Sequence, residues 1–158
     1  MERWGEENKA FLIAYVDIDN VQLVNDILGH EVGDEYIVAT GNILRELPGE
    51  PIICRMSGDE FIIFTTGLAR PVLEKELARL RDRLTQHVDG FSGRNYHRSF
   101  SFGTVIVPAN ATSSINTLLG LARSRMTQYK IANKAARFKK PKPEDEAADG
   151  APADTSLT

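Results

Sequence analysis

Acidic residues follow the first apolar run of the chain, where carboxylates can be held rigidly at the edge of a core. The run 11–16 is aromatic and β-branched and predicts a buried strand, and Asp17 and Asp19 come directly after it. Asp19 or Asn20 is expected to cap a helix that begins near Val21. Asp17 has no such local role, because it stands where the strand leaves the core.

A second acidic pair, Asp59 and Glu60, lies between the apolar runs 52–54 and 61–64, which predict a β-hairpin. Adjacent acids at a turn are, on their own, more often solvated than functional. If the hairpin lies beside the strand that ends at Asp17, however, three carboxylates meet at one edge of the sheet. Like charges so close repel unless a cation lies among them. Oxygen ligands of this kind suit Mg²⁺ or Mn²⁺, so the pattern predicts a metal site for phosphate chemistry.

The hydrophobic periodicity predicts the element order β-α-α-β-β-α-β-α, an α+β fold. Gly29 interrupts the first helical pattern, and the segment 48–51 ends the second helix. A third helix is expected over 71–88, a strand over 99–107 and a last helix over 114–134. The apolar positions expected to face the core on the last two helices are Leu73, Leu77, Leu80, Leu84, Ile115, Leu118, Leu119, Ala122, Met126 and Tyr129.

Composition bounds the class of protein. The chain has 158 residues and a formal net charge of −3, which suits one domain over 1–138 and argues against a nucleic-acid partner. No apolar run is long enough to span a membrane, and the polar N-terminus does not resemble a secretory signal. The single cysteine, Cys54, excludes an internal disulfide, is expected to be buried, and favours a cytoplasmic location. Residues 139–158 are too polar to form a core and are predicted to be a disordered, charged tail.

Two blocks of sequence carry a family resemblance. Residues 17–34 are similar to the Asp-x-Asp-x-Phe-Lys-x-x-Asn-Asp-x-x-Gly-His-x-x-Gly-Asp segment of GGDEF diguanylate cyclases. Residues 55–61, Arg-Met-Ser-Gly-Asp-Glu-Phe, resemble the signature of that family, with Ser57 in place of its first glycine. The resemblance extends over about residues 11–135. It implies a nucleotidyl-cyclase (palm-like) fold, with a central, mainly antiparallel sheet flanked by helices.

The resemblance also implies the residues that hold metal and perform catalysis. Asp17, the Ile18 carbonyl and Asp59 would bind Mg²⁺ or Mn²⁺. Asp59 and Glu60 would be the catalytic acids, with Glu60 close to an attacking 3′-hydroxyl.

Five further positions are implied to bind substrate. Asn25 and Asp34 would recognise guanine, because an ionised Asp34 can accept from N1–H and N2–H, two donors that adenine lacks. Gly58 would allow the phosphates to approach closely. In the last helix, Lys130 matches a phosphate-binding lysine of the family, and Lys134 stands one turn later in place of an arginine.

The activity implied by the resemblance is the joining of two GTP molecules into cyclic di-GMP, with release of two pyrophosphates. Each 3′-hydroxyl must attack the α-phosphate held by the other subunit, so the family acts as a homodimer of half-sites. Because this chain contains no sensory domain, dimerisation is expected from the domain itself, an upstream sensory domain or a partner.

Several departures from the family motifs support a rival hypothesis. Gln22 replaces a lysine, while Arg123 and Thr127 replace the aspartate and tyrosine of the last helix. Residues 1–10 lack the family's Asp-x-Leu-Thr-x-Leu-x-Asn-Arg turn. Separately, 48–51 lack the Arg-x-x-Asp of the family's product-inhibition site, so product inhibition through that site is not expected. The rival is a degenerate domain that binds GTP or serves as a signalling interaction module. A third hypothesis is a palm-fold cyclase that forms a cyclic mononucleotide.

Overall fold

A four-stranded sheet forms the centre of the protein, which a computed structural model describes over residues 9–86 and 96–139. The strands are β1 (Phe11–Ile18), β2 (Ile52–Ser57), β3 (Glu60–Thr65) and β4 (Phe100–Val107), and the helices are α1 (Val21–Leu28), α2 (His30–Leu44), α3 (Arg70–Gln86) and α4 (Ile115–Lys139). The strand order is β2-β3-β1-β4, and every neighbouring pair is antiparallel. The predicted element order and the α+β class are confirmed.

Each face of the sheet carries its own apolar core. Because successive strand residues point to opposite faces, Leu12 and Val16 of β1 join a large core with α1, α2 and α3. Ile13 and Tyr15 of the same strand join a smaller core beneath α4. The stripe of leucines predicted on α3 is fully buried in the large core, at Leu73, Leu77, Leu80 and Leu84.

Helix α4 differs from its prediction. It continues to Lys139, past the expected end at residue 134, and it begins at Ile115. Ala122 and Met126 are buried as predicted, whereas Ile115 is 47% exposed. The expectation for Ile115 was wrong because the core beneath α4 takes its helical side chains only from Leu118 onward.

Gly103 allows α4 to lie directly against β4. A Cβ at this position would lie 2.3 Å from the Met126 nitrogen, 2.4 Å from the Ala122 carbonyl oxygen and 2.8 Å from the Arg125 carbonyl carbon. These are backbone atoms, so the helix and the strand touch main chain to main chain. The Arg125 guanidinium donates to the Thr104 carbonyl at 2.7 Å and secures the same crossing.

Cys54 is half-buried rather than buried, so its predicted place in the core was wrong. It lies on β2, which is an edge strand, whereas α4 packs against β1 and β4. Ile52 and Met56, two residues away on either side, are exposed for the same reason.

Three predicted segments fall outside the described residues. These are 1–8 of the predicted domain, 87–88 at the end of the predicted third helix, and 140–158 of the predicted tail. In the part of the chain that is described, no helix combines the length and the apolar character needed to cross a membrane.

Candidate active site

The hairpin turn lies beside the end of β1, as the sequence predicted. Asp17 and Glu60 stand directly opposite each other in the β1–β3 ladder. The Ile18 N–H donates to the Asp59 carbonyl at 2.9 Å, which joins the two acidic segments through the main chain. Cross-strand partners point to the same face of a sheet, so Asp17 and Glu60 both lie on the α4 side. The fold therefore brings Asp17, Asp59 and Glu60 to one edge of the sheet.

Lys130 of α4 supplies the positive charge nearest to these acids. Its Nζ donates to Asp17 Oδ2 at 2.8 Å and lies 3.7 Å from Asp19 Oδ1. Burial raises the pKa of the Asp17 carboxyl; Lys130 opposes this rise, and the charges of Asp59 and Glu60 add to it. Burial lowers the pKa of Lys130, but the hydrogen bond and charge of Asp17 outweigh burial, so the net shift is upward. The acids at this sheet edge therefore form a cluster in which one lysine, Lys130, pairs with Asp17.

Asp19 holds the end of β1 in place instead of capping α1, so the expected cap was wrong. Asn20 occupies the cap position with a left-handed φ of 61°, and its side chain makes no capping hydrogen bond. The Asp19 carboxylate accepts from the Ser101 hydroxyl at 2.8 Å, and its carbonyl accepts from the Tyr36 hydroxyl at 2.9 Å. Its N–H donates to the Ser99 carbonyl at 2.9 Å. Asp19 thus ties β1 to α2 and to the start of β4.

Glu60 is held by three side chains. The Tyr15 hydroxyl donates to Glu60 Oε2 at 2.6 Å, and the Ser57 hydroxyl donates to the same oxygen at 3.2 Å. Arg123 Nη2 lies 3.5 Å from Glu60 Oε1. Burial, followed by the hydrogen bond to Glu60, raises the pKa of Tyr15 to about 12. The Tyr15 hydroxyl is therefore a hydrogen-bond donor throughout the physiological pH range.

Gly58 leaves the turn open to a ligand. A Cβ on Gly58 would meet no atom within 4 Å, and among the described glycines only Gly29 and Gly49 have positive φ. The Gly58 carbonyl accepts two hydrogen bonds from the Arg55 guanidinium, at 2.9 and 3.2 Å. Neither packing nor backbone conformation requires glycine here. The turn therefore has open space at Gly58, and the substrate role of this residue stays a prediction.

Asn25 and Asp34 lie near the junction of α1 and α2. A Cβ on Gly33 would lie 1.6 Å from Asn25 Oδ1, so Gly33 provides the space that the Asn25 amide occupies. Asn25 Oδ1 is buried and has no hydrogen-bond partner among the described atoms. A buried acceptor without a donor costs about 1–3 kcal/mol, which a donor on a ligand can recover. Asp34, the residue after Gly33, is exposed on α2.

One groove borders Asp34 and does not include the acids at the sheet edge. Its volume is about 850 Å³, and it runs between α2 and α3. Its lining includes Glu31, Glu35 and Glu46, but neither Asn25 nor the acids at the sheet edge. A lining with this many carboxylates repels phosphate groups.

Lys134 and Gln22 lie apart from the acidic edge. Lys134 is exposed on α4, and the described contacts do not bring it to the edge carboxylates. Gln22 is exposed on α1, and its amide donates to Asp26 at 2.9 Å. Of the two lysines predicted to bind phosphate, only Lys130 lies in the acidic cluster.

The predicted metal ligands fit a hard divalent cation by type. Within residues 9–86 and 96–139, no three His, Cys, Asp or Glu side chains form a metal site by themselves. Asp17, Asp59 and the Ile18 carbonyl offer three oxygens, and Mg²⁺ commonly completes its shell with waters and substrate phosphates. Burial is the main cause of the raised pKa of Asp17, and a cation there would relieve the repulsion from Asp59 and Glu60 that adds to it.

Three residues that contact the acids, Tyr15, Arg123 and Ser101, were not predicted from the sequence to do so. Strand alternation was a usable signal for Tyr15, because it stands two residues before Asp17 and so shares its face. Helical spacing was a usable signal for Arg123, which precedes Lys130 by seven residues, about two turns. Ser101 had no local signal, since its contact with Asp19 depends on the pairing of β4 with β1.

The strand order, with an acidic hairpin turn beside the carboxylate end of β1, defines a nucleotidyl-cyclase type of domain. The chain matches the family model described as "Diguanylate cyclase, GGDEF domain" over residues 1–136. The chain therefore belongs to the GGDEF domain family, and the resemblance carried by its motifs is confirmed.

Relatives of known sequence or structure agree with this assignment. The chain is 35% identical over 128 residues to an uncharacterized protein of Mycobacterium tuberculosis, covering 77% of this chain and 19% of that protein. It is 31% identical over 117 residues to diguanylate cyclase DgcP of Escherichia coli, covering 70% of this chain and 33% of that protein. The active GGEEF domain of a diguanylate cyclase from Vibrio cholerae shares the fold, with a TM-score of 0.70 at 22% identity and 78% of each chain covered. The chain thus spans a third or less of the length of these two curated relatives.

Proposed function

We propose that this GGDEF domain joins two GTP molecules into cyclic di-GMP in the cytoplasm and releases two pyrophosphates. The observation that carries the proposal is the meeting of Asp17, Asp59 and Glu60 at one sheet edge, with Lys130 paired to Asp17. Membership of the GGDEF family and the similarity to DgcP support the same chemistry.

The residues at the sheet edge have complementary roles in this reaction. Mg²⁺ or Mn²⁺, held by Asp17, Asp59 and the Ile18 carbonyl, would supply positive charge to the phosphates and to the attacking oxygen. Lys130 contacts Asp17 and can pair with a phosphate once another cation satisfies that carboxylate. Glu60 stands opposite Asp17 and can accept the proton of a 3′-hydroxyl. In each transfer, a bond forms between the 3′-oxygen and the α-phosphorus, the bond to the β-phosphate bridge breaks, and pyrophosphate leaves.

The reaction requires two subunits. The described part of one chain presents one such set of residues, whereas the product contains two nucleotides. A homodimer in which two half-sites face each other lets each 3′-hydroxyl attack the α-phosphate on the partner. At protein concentrations below the dimer dissociation constant, the rate should therefore rise with the square of protein concentration.

The assay that tests the proposal is incubation of the purified protein with GTP and Mg²⁺ or Mn²⁺, followed by chromatography of the nucleotides. Cyclic di-GMP as the product supports the proposal. GTP binding without turnover overturns it in favour of a degenerate binding module. Cyclic GMP identifies a cyclase that makes a mononucleotide ring.

Two departures in the structure favour the binding module as the second candidate. The Gln22 amide, where the family has a lysine, donates to Asp26 on the same helix. The Thr127 hydroxyl, where the family has a tyrosine, donates to the Arg123 carbonyl and stays on its own helix. The loss of one electrostatic contact at the transferring phosphate costs about 10²–10³ in rate, so the missing lysine at position 22 favours a catalytically weak or inactive domain.

Asp34→Ala is expected to weaken GTP binding about tenfold and to leave ATP binding unchanged. The physical reason is that only guanine offers both N1–H and N2–H to the carboxylate, and a lost hydrogen bond to a charged group is worth about 1.5–3 kcal/mol. Competition binding with the two nucleotides measures the ratio. Glu35→Ala, which removes the neighbouring exposed acid of α2, is the control and should change neither affinity. An equal loss for both nucleotides would contradict a role in base recognition.

A further inference from the structure

Side chains contact both oxygens of the Glu60 carboxylate. Tyr15 and Ser57 donate to one oxygen, at 2.6 and 3.2 Å, and Arg123 approaches the other at 3.5 Å. The Arg123 guanidinium also lies 6.0 Å from the centre of the Tyr15 ring. Glu60 Oε2 thus accepts two hydrogen bonds, and a more distant cation lies beside Oε1.

These three partners differ in how firmly they hold Glu60. Tyr15 is 6% exposed, and its ring packs with Ile13 and Ile62 in the core beneath α4. Its hydroxyl is therefore fixed by the packing of the ring. The Arg123 side chain is 62% exposed and its contact is long, so it adds favourable charge but little geometric restraint. Tyr15 is the rigid member of the group.

Two of the three partners are departures from the family motifs. Ser57 replaces the first glycine of the signature, and Arg123 replaces the aspartate of the last-helix motif. An aspartate at position 123 would repel Glu60, whereas arginine attracts it. Both substitutions therefore add a favourable contact to the same carboxylate, that of Glu60.

The opposite acid of the ladder has a separate partner. Asp17 pairs with Lys130, while Glu60 pairs with Tyr15, Ser57 and Arg123. Although Asp17 and Glu60 face each other across the strands, the described structure shows them sharing no hydrogen-bond partner. The Asp17 and Glu60 carboxylates thus have separate sets of hydrogen-bond partners.

We propose that Tyr15 is a positioning residue that, with Ser57 and Arg123, holds the Glu60 carboxylate in place for the attacking hydroxyl. This inference rests on the proposed function, since it assigns a task to Glu60 within that reaction. It predicts that removal of the Tyr15 hydroxyl disturbs the chemical step while GTP binding survives.

Tyr15→Phe tests the role of the hydroxyl, because phenylalanine preserves the ring and its packing. The expected result is a kcat lowered about tenfold, which corresponds to about 1.4 kcal/mol and lies near the value of a hydrogen bond to a charged group. The GTP dissociation constant, measured by calorimetry, should stay within about twofold. Thr85→Val is the matched control, because it removes a hydroxyl that donates to the Arg98 carbonyl far along α3, and its kcat should equal that of the natural protein.

A double-mutant cycle on stability gives a readout independent of activity. Tyr15→Phe, Glu60→Gln and the double variant are unfolded with urea and their midpoints compared. If the Tyr15 hydroxyl acts on Glu60, the double variant loses less stability than the sum of the two single losses. Additive losses would overturn the inference, as would an unchanged kcat or a fall in GTP affinity that accounts for the loss of rate.

Failure of the proposed function would be recognised separately. If the natural protein forms no cyclic di-GMP, the proposed activity is overturned, and the cycle alone decides the positioning claim. Non-additive midpoints would then show that Tyr15 orients Glu60 in a binding module, and additive midpoints would overturn that as well.

Discussion

Asp59→Ala is expected to lower cyclic di-GMP formation by at least about a hundredfold to a thousandfold without unfolding the protein. The loss follows from removal of one of the two carboxylates predicted to hold the metal, and one lost electrostatic contact at a transferring phosphate already costs this much. The fold should survive because the link to β1 uses the Asp59 main-chain carbonyl, at 2.9 Å from the Ile18 nitrogen, and alanine retains it. Chromatography of the products and urea unfolding measure the two effects.

The control for this substitution is Asp82→Ala, which removes an acid that is 67% exposed on α3. It should leave both product formation and stability close to those of the natural protein. Persistent activity of Asp59→Ala with an unchanged metal requirement would contradict the metal assignment. A loss of activity together with a collapsed unfolding transition would show a structural role for the Asp59 side chain instead.

Gly103→Ala is expected to destabilise the protein by about 3 kcal/mol and to lower its Tm by roughly 10 °C. The added methyl group would meet three backbone atoms of α4 at 2.3–2.8 Å, and backbone in a helix cannot rotate away as a side chain can. The helix must therefore move off β4. Because α4 carries Lys130 and Arg123, the partners of Asp17 and Glu60, product formation should fall as well.

Gly120→Ala provides a matched control on the same helix. A Cβ at Gly120 meets no atom within 4 Å, and alanine favours a helix interior over glycine by about 1 kcal/mol. This variant should be slightly more stable than the natural protein. Thermal unfolding of both variants measures the two effects: the Tm of Gly103→Ala reports the steric strain, and the Tm of Gly120→Ala reports helix propensity. An unchanged Tm for Gly103→Ala would contradict the close approach of β4 and α4.

The fold was predictable from local patterns to a large extent. Alternation and helical spacing in the sequence were enough to identify all eight elements of the described residues in order, and the leucine stripe of α3 is buried as expected. The errors occurred where exposure depends on neighbours distant in sequence. Cys54 lies in an apolar run, yet its strand is at the sheet edge, and Ile115 continues an apolar stripe beyond the point where the sheet can cover it.

Local sequence patterns predicted where the carboxylates of the candidate site lie, but not the contacts that hold them. Asp17, Asp59 and Glu60 were expected at one edge, and the pairing of β1 with β3 brings them there. Asp19 was assigned to a helix cap because local rules offer aspartate that role, but tertiary contacts with Ser101 and Tyr36 prevail. The contacts of Lys130 with Asp17 and of Tyr15 with Glu60 depend on the position of α4 and on pairing across the sheet. Strand alternation places Tyr15 on the face of Asp17, but no local pattern contains the pairing that brings it to Glu60.

The continuity of α4 has a mechanical consequence for the site. Arg123 and Lys130 are about 10 Å apart along one rigid helix axis, so they cannot change position independently. Gly103 is the point at which this helix bears on the sheet, and it touches α4 over residues 122–126, beside Arg123 and before Lys130. A displacement of α4 away from β4 at this contact would therefore change the Lys130–Asp17 and Arg123–Glu60 distances at the same time, because both cations are attached to the one helix.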